Sequence, residues 1–246
     1  MARMSAVEDI AELQRFYSDP PDGVRANMVF SIDGAASMHG RAGPLSGPLD
    51  QQLLVALRGF ADVVLVGAGT ARAENYGPVR LTDSQRSFRR ERWALEEPPP
   101  IAVVSQSGKL PQSIFAEPTQ RPMLITSSTA APGLRFEPDA GPDVVIAGED
   151  SVDMAAVISA LNSRGMRRVL CEGGPTLLDE LVLGGLIDEM CVTIAPKLAG
   201  TGQSATSAVV PQLPAAKELS LHHVLAHQGY LFLKYGRADY PSSASM

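Results

Sequence analysis

The sequence predicts an α/β fold in which a mixed, mostly parallel central sheet is flanked by helices on both faces and ends in an antiparallel hairpin. Short continuous apolar runs recur along the chain, as expected of strands buried on both faces, and helical stripes separate several of them. Near the carboxyl end, two strand-like runs flank His227-Gln228-Gly229, which is typical of a hairpin. The first pattern predicts parallel strands with helical connections, and the second predicts the antiparallel part of the sheet.

The first elements follow from apolar spacing and turn residues. Val7, Ile10, Leu13 and Tyr17 recur at helical spacing before a turn rich in Asp, Pro and Gly, so residues 1–22 are predicted to form a helix and a turn. The elements predicted next are a core strand at 25–31, a long loop through residue 48, a helix carrying the stripe Leu53, Leu54, Leu57 and Phe60, and a buried strand at 61–66.

The remaining elements complete the alternation. Strands are predicted at 101–105, 123–127, 144–147, 168–171, 190–195, 222–226 and 230–235, with helices at 152–164 and from Pro175 to Gly184. Residues 87–100 are charged and then proline-rich, and are interpreted as an excursion rather than a domain linker. Residues 240–246 are predicted to be a frayed tail. We therefore expect one domain over residues 1–246.

Composition narrows the partners and the compartment. The 246 residues carry a formal charge of −6 and are 45% hydrophobic, which suits a sizeable core and argues against nucleic-acid or anionic-membrane binding. Cys171 and Cys191 both lie in apolar runs, as buried free thiols do in a reducing compartment. The first 20 residues mix acids with apolar residues, so neither a signal peptide nor a membrane span is expected. A cytoplasmic location is predicted.

The run at 171–178, Cys-Glu-Gly-Gly-Pro-Thr-Leu-Leu, predicts a ligand site at the end of a buried strand. Gly173 and Gly174 allow a ligand to approach the backbone, and Pro175 suits the first position of a helix whose free amides attract phosphate. Glu172 lies where open α/β sheets place their ligand crevice. The alternative is an ordinary strand–helix turn in which Glu172 caps nearby amides.

A second glycine-bearing turn follows the predicted strand at 61–66. Gly67, Gly69 and Thr70 open a helical turn whose amides could hold a pyrophosphate, and the two turns together fit one dinucleotide lying across the strand ends. Arg86, Arg89, Arg90 and Arg92 stand where a ribose-binding acid would be expected, which suits the 2′-phosphate of NADP; the alternative is a solvated helix face.

Other polar residues could face the same crevice. Asn27 could read a heterocycle, and Asp33 follows the first core strand directly, although an Asx turn explains it equally. Glu74 lies one helical turn after Thr70. Arg58 and Arg80 are candidate phosphate cations, with surface ion pairing as the alternative.

Several chemistries are excluded by missing motifs. The four histidines and two cysteines do not form a zinc-deaminase pattern, and no metal site is predicted. The chain also lacks a P-loop lysine motif and a Gly-x-Ser-x-Gly elbow.

Three runs form a recognisable set: Glu-Gly-Gly-Pro-Thr-Leu-Leu at 172–178, Gly-Leu-Ile-Asp-Glu at 185–189 and Ala-Pro-Lys-Leu-Ala-Gly at 195–200. In these runs the chain resembles the reductase domain of bacterial riboflavin-biosynthesis deaminase/reductases. Three further runs match in order, at 25–34, 61–70 and 103–110. The resemblance implies a dihydrofolate-reductase-like fold and a homodimer.

The resemblance also implies NADPH-dependent reduction of 5-amino-6-(5-phosphoribosylamino)uracil, a small phosphorylated pyrimidine, to its ribityl form. In that enzyme, Asn27, Asp33 and Glu172 would face the pyrimidine, Glu172 orienting it or delivering a proton, and Arg58 and Arg80 would bind its phosphate. The residues expected to hold NADPH are Pro44, Thr70, Glu74, Ser105, Gly173, Gly174, Pro175, Thr176 and Leu177. The alternatives are a reductase of a dihydropterin-like or dihydrofolate-like heterocycle and a non-catalytic NADP-binding protein.

Two departures from the family pattern bear on this interpretation. No deaminase motif accompanies the reductase motifs, so a stand-alone reductase is expected. Residues 74–78 read Glu-Asn-Tyr-Gly-Pro where the bifunctional enzymes carry Asp-Asp-Pro, and the substrate contacts there are expected to differ.

Overall fold

The computed structural model describes residues 4–116, 119–136, 140–200 and 213–237, so the tail predicted at 240–246 lies outside the described residues. The strands are β1 Met4–Ala6, β2 Gly23–Ser31, β3 Val63–Gly67, β4 Ile101–Val104, β5 Met123–Thr126, β6 Asp143–Ile146, β7 Arg168–Cys171, β8 Ile187–Ala195, β9 Leu219–His227 and β10 Tyr230–Arg237. The α-helices are α1 Ile10–Leu13, α2 Pro48–Gly59, α3 Ala68–Ala73, α4 Asp83–Trp93, α5 Met154–Ser163 and α6 Pro175–Leu183. Shorter 3-10 helices occupy Gln14–Tyr17, Gln112–Phe115 and Ala131–Gly133.

The described strands form one mixed sheet in the order β1-β9-β10-β8-β2-β7-β3-β4-β5-β6. Strand β10 is antiparallel to both β8 and β9, and the other pairs are parallel. Strand β7 is inserted between β2 and β3, although more than 100 residues separate it from either. This insertion brings the carboxyl ends of β2, β7, β3 and β4 to one edge, where the sequence motifs end.

Helices cover both faces of the sheet, as predicted. On one face, α2 packs its buried residues Leu53 and Leu57 against the sheet, and on the other α6 does the same with Leu177 and Leu181. The run Val63–Val66 in β3 is completely buried, which explains why it is apolar without alternation.

The C-terminal antiparallel hairpin is confirmed, and it does not form the outer edge of the sheet. Gln228 and Gly229 have φ angles of 47° and 83°, as a two-residue turn between twisted strands requires. Strand β1 pairs in parallel with β9 and takes the outer position. Local apolar spacing carries no signal for this pairing because the two strands lie more than 200 residues apart in the chain.

The N-terminal helix is shorter than predicted. The side chain of Asp9 accepts a hydrogen bond from the amide of Glu12, so α1 begins only at Ile10 and continues as the 3-10 helix Gln14–Tyr17. The amide of Val7 instead donates to the carbonyl of Ala226 and extends the β1 pairing.

The first half of the charged segment interpreted as an excursion at 87–100 is helical, because α4 extends through Trp93. Thr82 and Gln85 form a reciprocal cap at its start. Arg89 is buried and donates hydrogen bonds to the carbonyls of Gly59 and Ala61, which ties α4 to the end of α2.

Candidate functional site

A cavity of about 700 Å³ opens at the carboxyl ends of β2, β3, β4 and β7. Its walls come from the loop after β2, from α3, from the loop after β4 and from the start of α6. The lining residues are Met28, Ala36, Ser37, Gly40, Ala42, Gly67, Ala68, Gly69, Thr70, Arg72, Ala73, Glu74, Val104, Ser105, Gln106, Ser107, Glu172, Gly174, Pro175, Thr176, Leu177 and Glu180. Most of the residues predicted from the two glycine turns therefore meet in one cavity.

The two glycine turns touch one another. The amide of Gly67 donates to the carbonyl of Gly173 across 2.8 Å, which joins the end of β3 to the end of β7. A Cβ added to Gly174 would lie 2.4 Å from Oγ1 of Thr70, and one added to Gly67 would lie 3.6 Å from the amide nitrogen of Gly174. A side chain at Gly174 would therefore displace the Thr70 hydroxyl.

The start of α6 presents free amide groups to this cavity. Gly174 is the N-cap residue without a side-chain cap, and Pro175 occupies the first turn, as predicted. The amides of the first turn of a helix lack intrahelical acceptors and attract anions. This wall of the cavity is therefore suited to the phosphates of a dinucleotide.

Glu172 is held by two neighbours at the opposite side of the same turn. Arg58 of α2 donates two parallel hydrogen bonds to its carboxylate, from Nε to Oε1 and from Nη2 to Oε2, each of 2.7 Å. The hydroxyl of Tyr76 donates to Oε2 across 2.6 Å. The Arg58 guanidinium also lies 5.2 Å from the centre of the Tyr76 ring. We call Arg58, Glu172 and Tyr76 the carboxylate triad.

The electrostatics of the triad keep Arg58 and Tyr76 as hydrogen-bond donors to Glu172. Burial lowers the pKa of Arg58, but the charge and hydrogen bonds of Glu172 outweigh it, so the pKa of Arg58 is raised overall. Burial, followed by the charge of Glu172, raises the pKa of Tyr76 well above its usual value. Arg58 therefore stays charged and Tyr76 stays a hydrogen-bond donor. The carboxylate accepts from both.

Asn27 lies just beyond the part of β2 that pairs with β7. Ala26 of β2 pairs with Cys171 of β7, and Asn27 and Glu172 are the residues that follow this pair in the two segments. The Oδ1 atom of Asn27 is buried and has no hydrogen-bond partner among the described residues. A buried acceptor without a donor is costly in a folded protein, and a ligand N–H would satisfy it.

The two arginines predicted to bind substrate phosphate lie in different surroundings. Arg58 is largely enclosed and uses two of its donors on Glu172. Arg80 is exposed and is not among the residues that line the cavity. Their role in phosphate binding stays a prediction.

Asp33 is not among the residues that line the cavity, and its side chain forms a turn contact. It accepts hydrogen bonds from Ser31 Oγ and from the amides of Ala199 and Gly200. The hydrogen bond of Ser31, followed by that of Ala199, lowers the pKa of the Asp33 carboxyl. These contacts favour the alternative of a structural turn, which here connects the end of β2 to the segment after β8.

The loop after β2 is fastened to the cavity by two residues. Glu74 accepts a hydrogen bond of 2.6 Å from the amide of Ala42, and Lys197 donates to the carbonyl of Pro44 across 2.7 Å. Glu74 thus contributes to the cavity wall, whereas Pro44 is not among the lining residues and its carbonyl accepts a hydrogen bond from Lys197.

A cationic corner lies at the other end of the cavity, where Arg72, Ser105 and Ser107 line it together. Arg72 donates to the carbonyl of Lys109 across 2.8 Å, and the hydroxyls of Ser105 and Ser107 lie 3.5 Å apart. By contrast, Arg86, Arg90 and Arg92 contact Glu96, Ser87 and Asp19 on the surface of α4, which favours the helix-face alternative for that segment.

Two polar residues near the site were missed from the sequence. Tyr76 lies in the segment that departs from the family pattern, and that departure was the available signal. Asp50 is buried near the start of α2 and contacts the Ser46 hydroxyl. Burial raises the pKa of Asp50, while hydrogen bonds from Ser46 and Thr193 oppose the rise. The other buried carboxylates of the described residues, Asp62, Glu172 and Glu189, each pair with an arginine.

Comparison with known proteins identifies the family. The model of the RibD C-terminal domain matches residues 23–228. The chain belongs to the RibD C-terminal domain family. The chain is also similar to proteins named 2,5-diamino-6-ribosylamino-4(3H)-pyrimidinone 5′-phosphate reductase. The protein of that name from Archaeoglobus fulgidus is 30% identical over 187 residues, covering 74% of this chain and 84% of the relative. The Methanothermobacter thermautotrophicus protein is 29% identical over 181 residues, covering 73% and 80%.

A solved structure supports the same assignment. A pyrimidine reductase-like protein from Corynebacterium diphtheriae has a TM-score of 0.73 at 25% identity, with 93% of this chain and 98% of that chain covered. Membership of the RibD C-terminal domain family, the predicted fold class and the predicted reductase activity are therefore confirmed.

The described residues were also considered for membrane-spanning helices and for metal-binding groups. Within the described residues, no helix combines the length and apolarity needed to cross a bilayer. In the same part of the chain, no group of three or more His, Cys, Asp and Glu side chains is arranged to hold a metal ion.

Proposed function

We propose that this protein uses NADPH to reduce 5-amino-6-(5-phosphoribosylamino)uracil to its ribityl form. The proposal is supported by the arrangement of residues at the end of β7. There a fixed carboxylate, Glu172, adjoins a glycine turn that is open to a phosphate-bearing ligand. One short segment can thus contact both a heterocycle and a cofactor.

The cavity suits a nicotinamide dinucleotide. The free amides at the start of α6 and the Gly67–Thr70 turn border the cavity, and the Thr70 hydroxyl lies beside Gly174. Gly67, Gly69, Thr70, Gly174, Pro175, Thr176 and Leu177 would hold the cofactor, with Glu74 and Ser105 on the flanking walls. Bound there, the reduced nicotinamide would supply a hydride.

The corner formed by Arg72, Ser105 and Ser107 supports NADPH rather than NADH. A guanidinium and two hydroxyls are suitable donors for the 2′-phosphate that distinguishes the two cofactors. This corner replaces the α4 arginines as the proposed basis of cofactor choice, since the α4 arginines lie on a surface helix.

The reaction is a two-electron reduction of a carbon–nitrogen double bond. The open-chain form of the substrate carries an imine between C1′ of the sugar and the amino nitrogen of the pyrimidine. Hydride adds to C1′, the π electrons move to nitrogen, and nitrogen takes one proton, which leaves a ribityl amine. Glu172 and Asn27 would orient the pyrimidine so that C1′ faces the hydride donor.

A second candidate substrate is favoured by the names of the archaeal relatives. Those reductases are named for 2,5-diamino-6-ribosylamino-4(3H)-pyrimidinone 5′-phosphate, which carries an amino group at C2 where the uracil has a carbonyl. Both compounds carry the same reducible ribosylamino group and the same phosphate, so the proposed chemistry is the same for either.

Steady-state oxidation of NADPH tests this function directly. We expect turnover with the uracil substrate, no turnover with dihydrofolate, and a kcat/KM at least about tenfold lower with NADH, since loss of a charged contact is worth roughly one tenfold step. The diaminopyrimidinone is assayed beside them. Tight NADPH binding without reduction of either ribosylamino pyrimidine would contradict the proposal and favour a non-catalytic NADP-binding protein.

We also propose that the protein is a homodimer formed through one face of β8, β9 and β10. Val192, Ile194, Val224, Leu231 and Leu233 alternate with buried residues on these strands and are only half-buried. None of them belongs to either core cluster of the described residues. A contiguous apolar sheet face of this kind is typical of a subunit interface.

Light scattering at micromolar concentration is expected to give twice the chain mass of 26.1 kDa. Leu233→Glu places a charge in the proposed interface and is expected to shift the mass toward the monomer. Leu95→Glu, at an exposed apolar residue after α4, is the matched control and should leave the dimer intact. A monomeric wild-type protein would exclude this interface.

A reducing compartment such as the cytoplasm is proposed from the cysteines. Cys171 and Cys191 are both buried free thiols, and burial raises the pKa of Cys171 to about 12. Both thiols are therefore protonated and shielded from oxidation at neutral pH.

A further inference from the structure

The carboxylate of Glu172 has little hydrogen-bonding capacity left. A carboxylate offers about four acceptor positions on its two oxygens. Arg58 Nη2 and the Tyr76 hydroxyl both donate to Oε2, at 2.7 and 2.6 Å. Arg58 Nε donates to Oε1, which has no second donor among the described residues. One acceptor position therefore remains for a ligand, and it is on Oε1.

The two candidate substrates differ in how many adjacent donors they present at the N3 edge of the ring. In the uracil, N3–H lies between the C2 and C4 carbonyl groups, so it is an isolated donor at this edge. In the 2-aminopyrimidinone, the ring N3–H lies beside the C2 amino group, and the two N–H bonds point in parallel. Parallel donors match the two oxygens of a carboxylate, provided that both oxygens are free.

We propose that Tyr76 is a specificity-determining residue that makes this site prefer the uracil substrate, a pyrimidine-dione, over the 2-aminopyrimidinone. Its hydroxyl fills the remaining position on Oε2, so Glu172 can receive one N–H but not a parallel pair. A 2-amino group placed beside Glu172 would be buried without an acceptor, and burying an unpaired donor weakens binding. The inference rests on the proposed function, because it assumes that Glu172 faces the N3 edge of the pyrimidine.

The surroundings of Tyr76 hold its hydroxyl in place. Its amide donates to the carbonyl of Ala71 at the end of α3, and its carbonyl accepts from Ser113 Oγ across 2.7 Å. The ring also packs against the core beside α2 and lies near the Arg58 guanidinium. Both ends of the residue are thus fixed, so rotation of the hydroxyl away from Glu172 is restricted.

The preference fits the departure from the family pattern. Tyr76 lies within Glu-Asn-Tyr-Gly-Pro at 74–78, where the sequence predicted altered substrate contacts. The structure gives that departure a defined target, namely one oxygen of Glu172.

Tyr76→Phe tests the proposal because it removes the hydroxyl and keeps the ring. For the wild-type protein we expect kcat/KM for the uracil substrate to exceed that for the 2-aminopyrimidinone by about tenfold or more. In Tyr76→Phe the ratio should fall at least about fivefold, mainly through a lower KM for the 2-amino compound. Tyr235→Phe is the matched control, and its ratio should equal that of the wild type.

The possible outcomes separate this inference from the proposed function. Reduction of neither substrate contradicts the function, whereas an unchanged ratio in Tyr76→Phe contradicts only the role of Tyr76. If Tyr76→Phe does not fold by circular dichroism, wild-type calorimetry with the two ribityl products decides. Equal or tighter binding of the 2-amino product would then overturn the proposal, and tighter binding of the dione would support it.

Discussion

Replacing Glu172 by Gln is expected to lower kcat for the ribosylamino pyrimidine at least about tenfold while the Kd for NADPH changes less than about twofold. The physical reason is the orientation of the triad. Arg58 and Tyr76 both donate toward the carboxylate, and an amide would turn its own donors toward one of them. Glutamine therefore cannot keep all three hydrogen bonds and also present an acceptor to the ring.

The same substitution should lower the free energy of unfolding. Arg58 loses its anionic partner in a place where water reaches it poorly, and an unpaired buried group of this kind costs about 1–3 kcal/mol. Thermal unfolding and NADPH fluorescence titration, made on the same preparation, separate this cost from the catalytic effect. Since Glu180 is an exposed acid on the same cavity wall, Glu180→Gln is the matched control and should retain near wild-type kcat. Equal losses of kcat and NADPH affinity in Glu172→Gln would contradict the orienting role.

Local patterns were sufficient for most elements of the fold. The apolar run Val63–Val66 and the Gly174-Pro175 helix start depend on neighbours in the chain, and both were found where the sequence predicted them. Strand β1 depends instead on a partner more than 200 residues away, and its three residues carry no strong strand pattern. The helix α4 was also incompletely predicted, because its face is charged and its Thr82–Gln85 cap precedes the segment that was interpreted as an excursion.

The residues of the candidate site also differ in whether local sequence patterns could predict them. The residues of the two glycine turns could be predicted because each turn is a continuous motif. The triad could not, because Arg58, Tyr76 and Glu172 come from three segments and meet only when β7 is inserted between β2 and β3. Arg58 was predicted as a phosphate cation from its charge and from the family resemblance, whereas its geometry depends on a carboxylate more than 100 residues away. The chemistry of these groups could be predicted from their residue types. Their partners could not, because they depend on the order of the strands in the sheet.

Gly174→Val is expected to raise the Kd for NADPH at least about tenfold, because overpacking of this kind costs roughly 1–3 kcal/mol and each 1.4 kcal/mol is one tenfold step. The φ of Gly174 is −64°, an angle that any residue adopts, so space and not the φ angle is the cause. The added Cβ would lie 2.4 Å from Thr70 Oγ1, and both residues line the cavity. Relief of that contact must move the α6 amides or Thr70, and either movement disturbs the proposed phosphate cradle.

A second glycine provides the control for this prediction. Gly133 lies on a 3-10 helix outside the cavity lining, and a Cβ added there would meet nothing within 4 Å. Gly133→Val should therefore leave the Kd for NADPH unchanged in the same fluorescence titration. An unchanged Kd in a folded Gly174→Val protein would show that the cofactor does not approach the backbone at the start of α6. The cofactor would then have to bind along the cavity wall that contains Arg72 and Ser107. In that case Glu172 would not lie beside the hydride donor.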